Sequence, residues 1–156
     1  MRSEKLYLKG NCINTMFTDQ ISIFVENMEG RLAEVTAILR NAGINIKAFS
    51  LADTTDYGVF RLIVNDTDKT ENALTKEGFR VGITKVIAVE VMDEPGGLNQ
   101  ILDPLSQNEI NVEYMYAVSK PKNDNAVLIF RFNDYDKALS IFKEHQIRVI
   151  PQEELF

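Results

Sequence analysis

The sequence predicts an α+β protein built from two tandem copies of a βαββαβ unit. Two observations carry this prediction. The chain aligns with itself after a shift of 66 residues, and within each copy the apolar residues alternate between the two-residue period of a strand and the 3.6-residue period of a helix. The expected sheets are antiparallel, with helices on one face.

The self-alignment stays in register through both halves of the unit. It places Gly30 on Gly96 and Asn45 on Asn111, and after a two-residue insertion it continues with a shift of 68. Chance matches would not keep register across strands, helices and turns. The alignment predicts these segments: an N-terminal extension, 1–18, a first copy, 19–85, and a second copy, 86–156.

The elements of the first copy follow from local patterns. Alternating apolar residues from Ile21 to Val25 predict a strand, and apolar residues at helical spacing predict a helix that stops at Gly43. A hairpin, a second helix that stops at Gly78 and a last strand follow. This last strand runs into the second copy without a flexible linker. Both faces of the hairpin strands are apolar, so we expect another sheet, in this chain or a second subunit, to cover the second face.

Composition and charge narrow the function classes. The chain has 17 basic and 23 acidic side chains, and residues 86–156 carry the whole excess, with six basic against twelve acidic. Nucleic acid and anionic membrane surfaces are unfavourable partners for this charge. Cys12 has no second cysteine to pair with, which fits a reducing, cytoplasmic location. No apolar run is long enough for a membrane span, and the N-terminal residues lack the apolar core of a signal peptide.

Two loops that lead directly from a strand into a helix are the candidate binding sites. Backbone N–H groups and the positive end of the helix dipole collect at such a helix start and stabilise a ligand carboxylate. Fifteen residues after each loop glycine stands an Asn, which suits a zwitterion because its side chain both accepts and donates hydrogen bonds. Alternatively, these Asn residues only cap a helix or begin a strand. The candidate ligand-binding residues are Asn27, Met28, Glu29, Gly30, Arg31, Leu32 and Asn45 in the first copy, and Asp93, Glu94, Pro95, Gly96, Gly97, Leu98 and Asn111 in the second copy.

Other uses of a βαββαβ unit fit the residues poorly. RNA recognition needs a basic, glycine-containing motif around strand aromatics, and the aromatic strand at 128–134 lies in the acidic half. A metal-binding unit needs a thiolate pair, so no metal or cofactor is expected, and the motif of an acylphosphatase-like anion loop is absent around Arg31. Catalysis is not expected either. His145 is predicted at the surface, and Asp66 and Asp134 are predicted to be helix caps.

The pattern of a strand, N/D-x-x-G-x-L, a helix, G-I-N-I and a D-x-G-V-F-R-L-I-V strand resembles the ACT domain, a ferredoxin-like regulatory module that binds amino acids. The resemblance covers about residues 19–156 and is strongest to stand-alone proteins with two ACT domains. It implies a non-catalytic, allosteric regulatory protein that binds a free amino acid between two ACT domains. It also implies a homodimer formed through sheet or strand edges.

The resemblance implies a layout for the pockets. A loop residue of one domain and a strand-start Asn of its neighbour hold one ligand, which pairs Asn27 with Asn111 and Asp93 with Asn45. An ionised Asp93 accepts hydrogen bonds but cannot donate them, so it disfavours a ligand carboxylate. Pro104, inside the following helix, is expected to kink or end that helix. The Asn27 pocket is therefore the first choice.

A second interpretation is a regulatory interaction subunit of a separate enzyme of amino-acid metabolism. Such a protein would be similar to the small subunit of acetolactate synthase and would bind no ligand of its own. The apolar faces of the predicted sheets favour this interpretation, because they offer surface for a protein partner.

Overall fold

In the computed structural model, which describes residues 16–156 except 54, 120, 122 and 123, the chain divides into two compact units. One unit comprises residues 19–84, and the other comprises residues 85–156 together with 16–18. Cys12 and most of the predicted extension lie outside the described residues. The boundary between the units falls inside one continuous strand of 12 residues, in agreement with the predicted absence of a linker.

The first unit has the predicted element order. Its elements are β1 (Thr18–Glu26), α1 (Arg31–Asn41), β2 (Ile46–Asp53), β3 (Tyr57–Val64), α2 (Thr67–Lys76) and the first part of β4 (Arg80–Val91). Its strands lie in the order β2–β3–β1–β4, and β3 is antiparallel to both β1 and β2. Ile21 pairs with Leu62 and Ile23 with Phe60, so the register places the apolar residues of both strands on one face.

The second unit repeats this order. Its elements are the rest of β4, α3 (Gly97–Gln107), β5 (Val112–Ala117), β6 (Ala126–Phe132), α4 (Tyr135–Glu144) and β7 (Val149–Ile150), followed by a 3₁₀ helix (Gln152–Leu155). Strand β4 pairs antiparallel with β6 on one side and with the short β7 on the other, and β5 forms the outer edge beyond β6. The α+β fold class, with antiparallel sheets and four helices, is therefore confirmed.

Each unit has its own hydrophobic core between its helices and one face of its sheet. Repeat-equivalent residues fill the two cores: Ile21 and Ile87, Val35 and Ile101, Leu39 and Leu105, Leu62 and Phe130, Leu74 and Phe142. On the opposite face, Ile63 and Ile129 are also fully buried, as expected for strands that are apolar on both faces.

The helices begin in two different ways. Asp66 and Asp134 are the N-caps of α2 and α4, and each accepts a hydrogen bond of 3.0 Å from a backbone N–H three residues later. These two aspartates are caps, as the sequence predicted. The helices α1 and α3 begin instead at Gly30 and Gly96, which have φ angles of 81° and 87° that favour glycine.

The helix does not end at Pro104, which was one of the two expected outcomes, because α3 continues to Gln107 and has 11 residues, as α1 does. Proline has no N–H, so the helical hydrogen bond to the Gln100 carbonyl is lost. Gln100 is exposed, and water can satisfy its carbonyl instead. The Pro104 carbonyl accepts a hydrogen bond of 2.9 Å from the Asn108 side chain, which supports the last turn.

Tyr135 connects α4 to the sheet of the second unit. Its hydroxyl donates to the Lys85 carbonyl at 2.6 Å and accepts from Arg131 at 3.2 Å, and its ring meets the ring of Phe17 edge to face at 5.2 Å. Burial raises the pKa of Tyr135 above its ordinary value, against the opposing effect of Arg131.

The cap at Asp134 gives a stability prediction. Asp134→Ala should lower the free energy of unfolding by about 1 kcal/mol, because the N–H of Lys137 loses its acceptor. Asp134→Asn keeps a good cap and should stay within a few tenths of a kcal/mol of the wild type. Urea denaturation followed by circular dichroism measures both changes. Equal losses for Ala and Asn would contradict a capping role.

Candidate functional site

The first candidate loop joins β1 to α1. The backbone N–H of Asn27 donates to the Asp56 carbonyl at 3.0 Å, which ties the loop to the β2–β3 turn. The side-chain amide of Asn27 lies 3.5 Å from the Thr55 carbonyl, a contact at the long limit for a hydrogen bond. Asn27 is exposed, and Met28 is 67% exposed. The loop backbone is therefore anchored while its side chains stay accessible.

Both candidate loops end in helix starts that, among the described residues, no side chain caps. The first helical hydrogen bonds run from Glu34 N–H to the Gly30 carbonyl at 2.9 Å and from Gln100 N–H to the Gly96 carbonyl at 3.0 Å. The N–H groups of the two residues before each of these donors have no acceptor within the helix. They are the groups that a ligand carboxylate could contact.

Asn45 and Asn111 directly precede β2 and β5 and are exposed. The N–H of Asn45 donates to the side-chain oxygen of Asn65 at 2.9 Å, and the N–H of Asn111 donates to that of Asn133 at 3.0 Å. These bonds use only the backbones of Asn45 and Asn111. Each residue is thus fixed at the start of a strand by its backbone, and its side chain takes no part in these bonds.

Within one copy, the loop and the strand-start Asn are not brought together. They lie at opposite ends of an 11-residue helix, which at 1.5 Å per residue separates Asn27 from Asn45, and Asp93 from Asn111, by about 16 Å. One small ligand cannot contact both members of either pair. A pocket that uses both residue types therefore needs two different ACT-like units.

The second loop differs from the first in its backbone. Gly97 is buried, and a Cβ built on it would lie 2.0 Å from the carbonyl oxygen of Met92. No side chain fits there without a shift of the backbone. Its counterpart in the first copy is Arg31, so the second loop folds more closely onto its strand than the first loop does.

Arg31 is the centre of a charged cluster in the first copy. Its Nε lies 3.0 Å from a carboxylate oxygen of Glu26, an ion pair without hydrogen-bond geometry, and its Nη1 donates to Glu34. The guanidinium also lies over the ring of Phe79, with its central carbon 4.8 Å from the ring centroid. Two of these three partners are carboxylates, so the charge of Arg31 is already compensated.

The remaining expectations concern residues away from the loops. His145 is exposed at the C-terminal end of α4, as predicted. In the described part of the chain, no group of three His, Cys, Asp or Glu residues is arranged to hold a metal ion. Over the same residues, no helix is long and apolar enough to cross a membrane.

The partners of Arg31 and the contacts of its counterpart, Gly97, were not among the residues predicted from the sequence. Glu34, three residues after Arg31 on a helix, could have been found from its spacing. Glu26 and Phe79 could not, because they depend on which strands adjoin the helix start. The same holds for the ion pair of 3.3 Å between Glu90 and Arg148 in the second copy.

Two βαββαβ units with glycine-begun first helices define the class of tandem ferredoxin-like domain proteins. Within that class, the chain belongs to the ACT family: the family model for the ACT domain pair matches residues 16–156. This family is regulatory rather than catalytic. The resemblance inferred from the loop and strand motifs is therefore confirmed.

Solved structures agree with this assignment. The chain is similar to protein BT0572 from Bacteroides thetaiotaomicron, with 37% identity, a TM-score of 0.84, and 91% of this chain and 97% of that chain covered. It also shares its fold with the regulatory subunit of aspartate kinase from Thermus thermophilus, at 14% identity and a TM-score of 0.59, covering 84% and 95% of the two chains. The corresponding subunit from Thermus flavus has 12% identity and a TM-score of 0.54, covering 84% and 94%. None of the curated proteins compared with the chain matches it.

The Arg31 cluster gives a second prediction. Arg31→Ala should lower the free energy of unfolding by about 1–2 kcal/mol, because two partly exposed ion pairs and one cation–π contact are lost together. Arg31→Lys keeps the charge but not the planar group, and should lose about half as much. Urea denaturation measures both values, with exposed Arg40→Ala on the same helix as the control. A loss for Arg31→Ala no larger than for Arg40→Ala would contradict the cluster's contribution.

Proposed function

We propose that this chain is a non-catalytic sensor that binds a free amino acid at the starts of α1 and α3. The observation that carries the proposal is the contrast between the helix starts. Aspartates cap α2 and α4, whereas glycines begin α1 and α3, and the described residues supply no side-chain cap there. The N–H groups left at α1 and α3 suit an α-carboxylate, which every amino acid carries.

The ligand's α-ammonium needs an acceptor at the other side of the pocket. The side-chain carbonyls of Asn45 and Asn111 are exposed and suit this role, since the backbone bonds to Asn65 and Asn133 leave them unused. Because loop and Asn lie at opposite ends of a helix in each copy, each pocket takes its Asn from another ACT domain, in this chain or in a second copy of it.

The first loop is the better carboxylate site. The Asn27 side chain is neutral and can donate to a carboxylate, whereas the ionised Asp93 at the same position repels one. The second loop also lies in the half of the chain that carries the acidic excess. The pocket at Asn27 should therefore have the higher affinity for an amino acid. The Asp93 loop should bind amino acids weakly, or bind them through their ammonium group.

Calorimetric titration of the whole chain with each of the twenty amino acids tests the proposal. At least one should bind with a dissociation constant below about 1 mM, and a double variant, Asn27→Ala with Asn111→Ala, should weaken binding by at least about tenfold. That is the loss expected for one hydrogen bond to a charged group. Asn72→Ala, on exposed surface of α2, is the matched control and should bind as the wild type does.

The outcomes are distinct. If none of the twenty binds better than millimolar, ligand sensing is wrong for this chain. If one binds and the double variant binds it equally well, the ligand site lies elsewhere and the two loops are structural.

A second candidate function is the ligand-free regulatory subunit of a separate enzyme of amino-acid metabolism. The observation that favours it is apolar surface on the edge strand β2, where Phe49 is 56% exposed and Leu51 is 50% exposed. Exposed aromatic and aliphatic side chains beside an open strand edge are typical of a protein-binding surface. The same edge is our candidate for homodimer formation.

Affinity capture with the tagged chain tests the second candidate. The wild type should retain an enzyme of amino-acid metabolism, and Phe49→Ser with Leu51→Ser should release it while amino-acid binding stays unchanged. Light scattering of the purified variant distinguishes loss of a homodimer from loss of another partner. Recovery of the chain alone from a native lysate would count against an interaction subunit.

A further inference from the structure

A cleft of about 470 Å³ lies inside the second unit, and its lining includes Gly97 of the second candidate loop. It is bounded by the end of β4, the N-terminal half of α3, the start of β6 and the segment that follows α4. The residues that matter for its chemistry are Glu90, Met92, Gln100, Asn125, Ile147 and Arg148. Its volume falls in the range of small-molecule sites in proteins.

The first unit has a cleft at the repeat-equivalent place, with a volume of about 360 Å³. There the guanidinium of Arg31 contacts Phe79 and pairs with Glu26 and Glu34. The first copy therefore places a cation of its own at this position, between an aromatic ring and two carboxylates.

The second copy replaces this set of residues as a group. Under the repeat alignment, Arg31 becomes Gly97, Glu26 becomes Met92, Glu34 becomes Gln100 and Phe79 becomes Ile147. Gly97 cannot regain a side chain, because a Cβ there would meet the Met92 carbonyl at 2.0 Å. Gly97 lines the larger cleft of the second unit.

The charges around the second cleft favour a cation. Glu90, which replaces Phe24, accepts hydrogen bonds from Arg148 at 3.3 Å and from Asn125 at 3.4 Å. Arg148 also pairs with Glu154 at 2.6 Å, and Asp103 lines the cleft as well. Among the residues that line the cleft, the guanidinium of Arg148 thus stands beside two carboxylates, Glu90 and Asp103, a local charge of about −1.

We infer that this cleft binds a small organic cation, one that carries a guanidinium or primary ammonium group. Glu90, whose side chain is only 16% exposed, is the acceptor for the cationic group. Met92 and Ile147 pack against the apolar part of the ligand, and the side-chain amides of Gln100 and Asn125 provide further hydrogen bonds. The site lies within one unit and shares no residue with the first loop at Asn27, which is the preferred amino-acid site, so either can fail alone.

Titration of the whole chain with methylguanidinium chloride, followed by ¹H–¹⁵N NMR, tests the inference. The side-chain amide signals of Gln100 and Asn125 should shift in a saturable way, and N-methylurea, which has the same shape without the charge, should bind at least about tenfold more weakly. Equal shifts with both probes would overturn the inference.

Two substitutions and a control test which carboxylate binds the methylguanidinium cation. Glu90→Gln should weaken methylguanidinium binding by about tenfold, and Met92→Glu, which restores the carboxylate of the first copy, should strengthen it about threefold. Asp136→Asn removes a carboxylate at the opposite end of α4 and should leave binding unchanged. An unchanged affinity in Glu90→Gln would overturn the inference, even if Met92→Glu failed to fold.

One further comparison separates two sources of the cation. A free small molecule should bind at least as well as the arginine side chain of a blocked Gly-Arg-Gly tripeptide, because the proposed contacts are made only to the cationic group and the apolar part beside it. If the tripeptide binds at least tenfold more tightly, the cleft receives a side chain of a protein partner, and our assignment to a free cation is wrong.

Discussion

The structure depends most on how each copy satisfies the polar backbone groups where a strand turns into a helix. At α2 and α4 an aspartate accepts a helix N–H, and the adjoining Asn65 or Asn133 accepts the N–H that precedes the neighbouring strand. These local bonds join a helix start to a strand start in each unit. These bonds stabilise each unit. The helices α1 and α3 can therefore begin at glycines and leave N–H groups without intrahelical acceptors, although an uncapped helix start lowers the free energy of unfolding.

The proposed amino-acid binding therefore depends on the backbone N–H groups that have no intrahelical acceptor at the starts of α1 and α3. A side-chain cap uses one of the N–H groups at a helix start, whereas a start without such a cap leaves these groups available to water or to an anion. The 16 Å between loop and strand-start Asn adds a second constraint, since one domain alone cannot supply both ends of an amino-acid pocket.

Much of the fold could be predicted because its signals are local. The alternation around Ile21, the stops at Gly43 and Gly78 and the caps at Asp66 and Asp134 are each read from neighbouring residues. The repeat then extended them to the whole chain. The candidate site was predicted as two loops and two strand-start Asn residues, without the contacts around them. The Arg31 cluster needs residues from a strand, a helix and a later turn, and the continuation of α3 past Pro104 depends on exposed carbonyls that sequence spacing does not reveal.

The divergence between the two copies is best understood as one coupled change. Removing Arg31 alone would leave Glu26 and Glu34 as neighbouring carboxylates without a cation, and like charges at that distance repel. The second copy has none of these charges at the equivalent positions, and Gly97 lets the loop move close to Met92, where a side chain would clash. A new carboxylate, Glu90, then appears with its own partner, Arg148. Part of the acidic excess of the second half thus lies around the cleft of the second unit. In the equivalent cleft of the first copy, Arg31 neutralises the carboxylates.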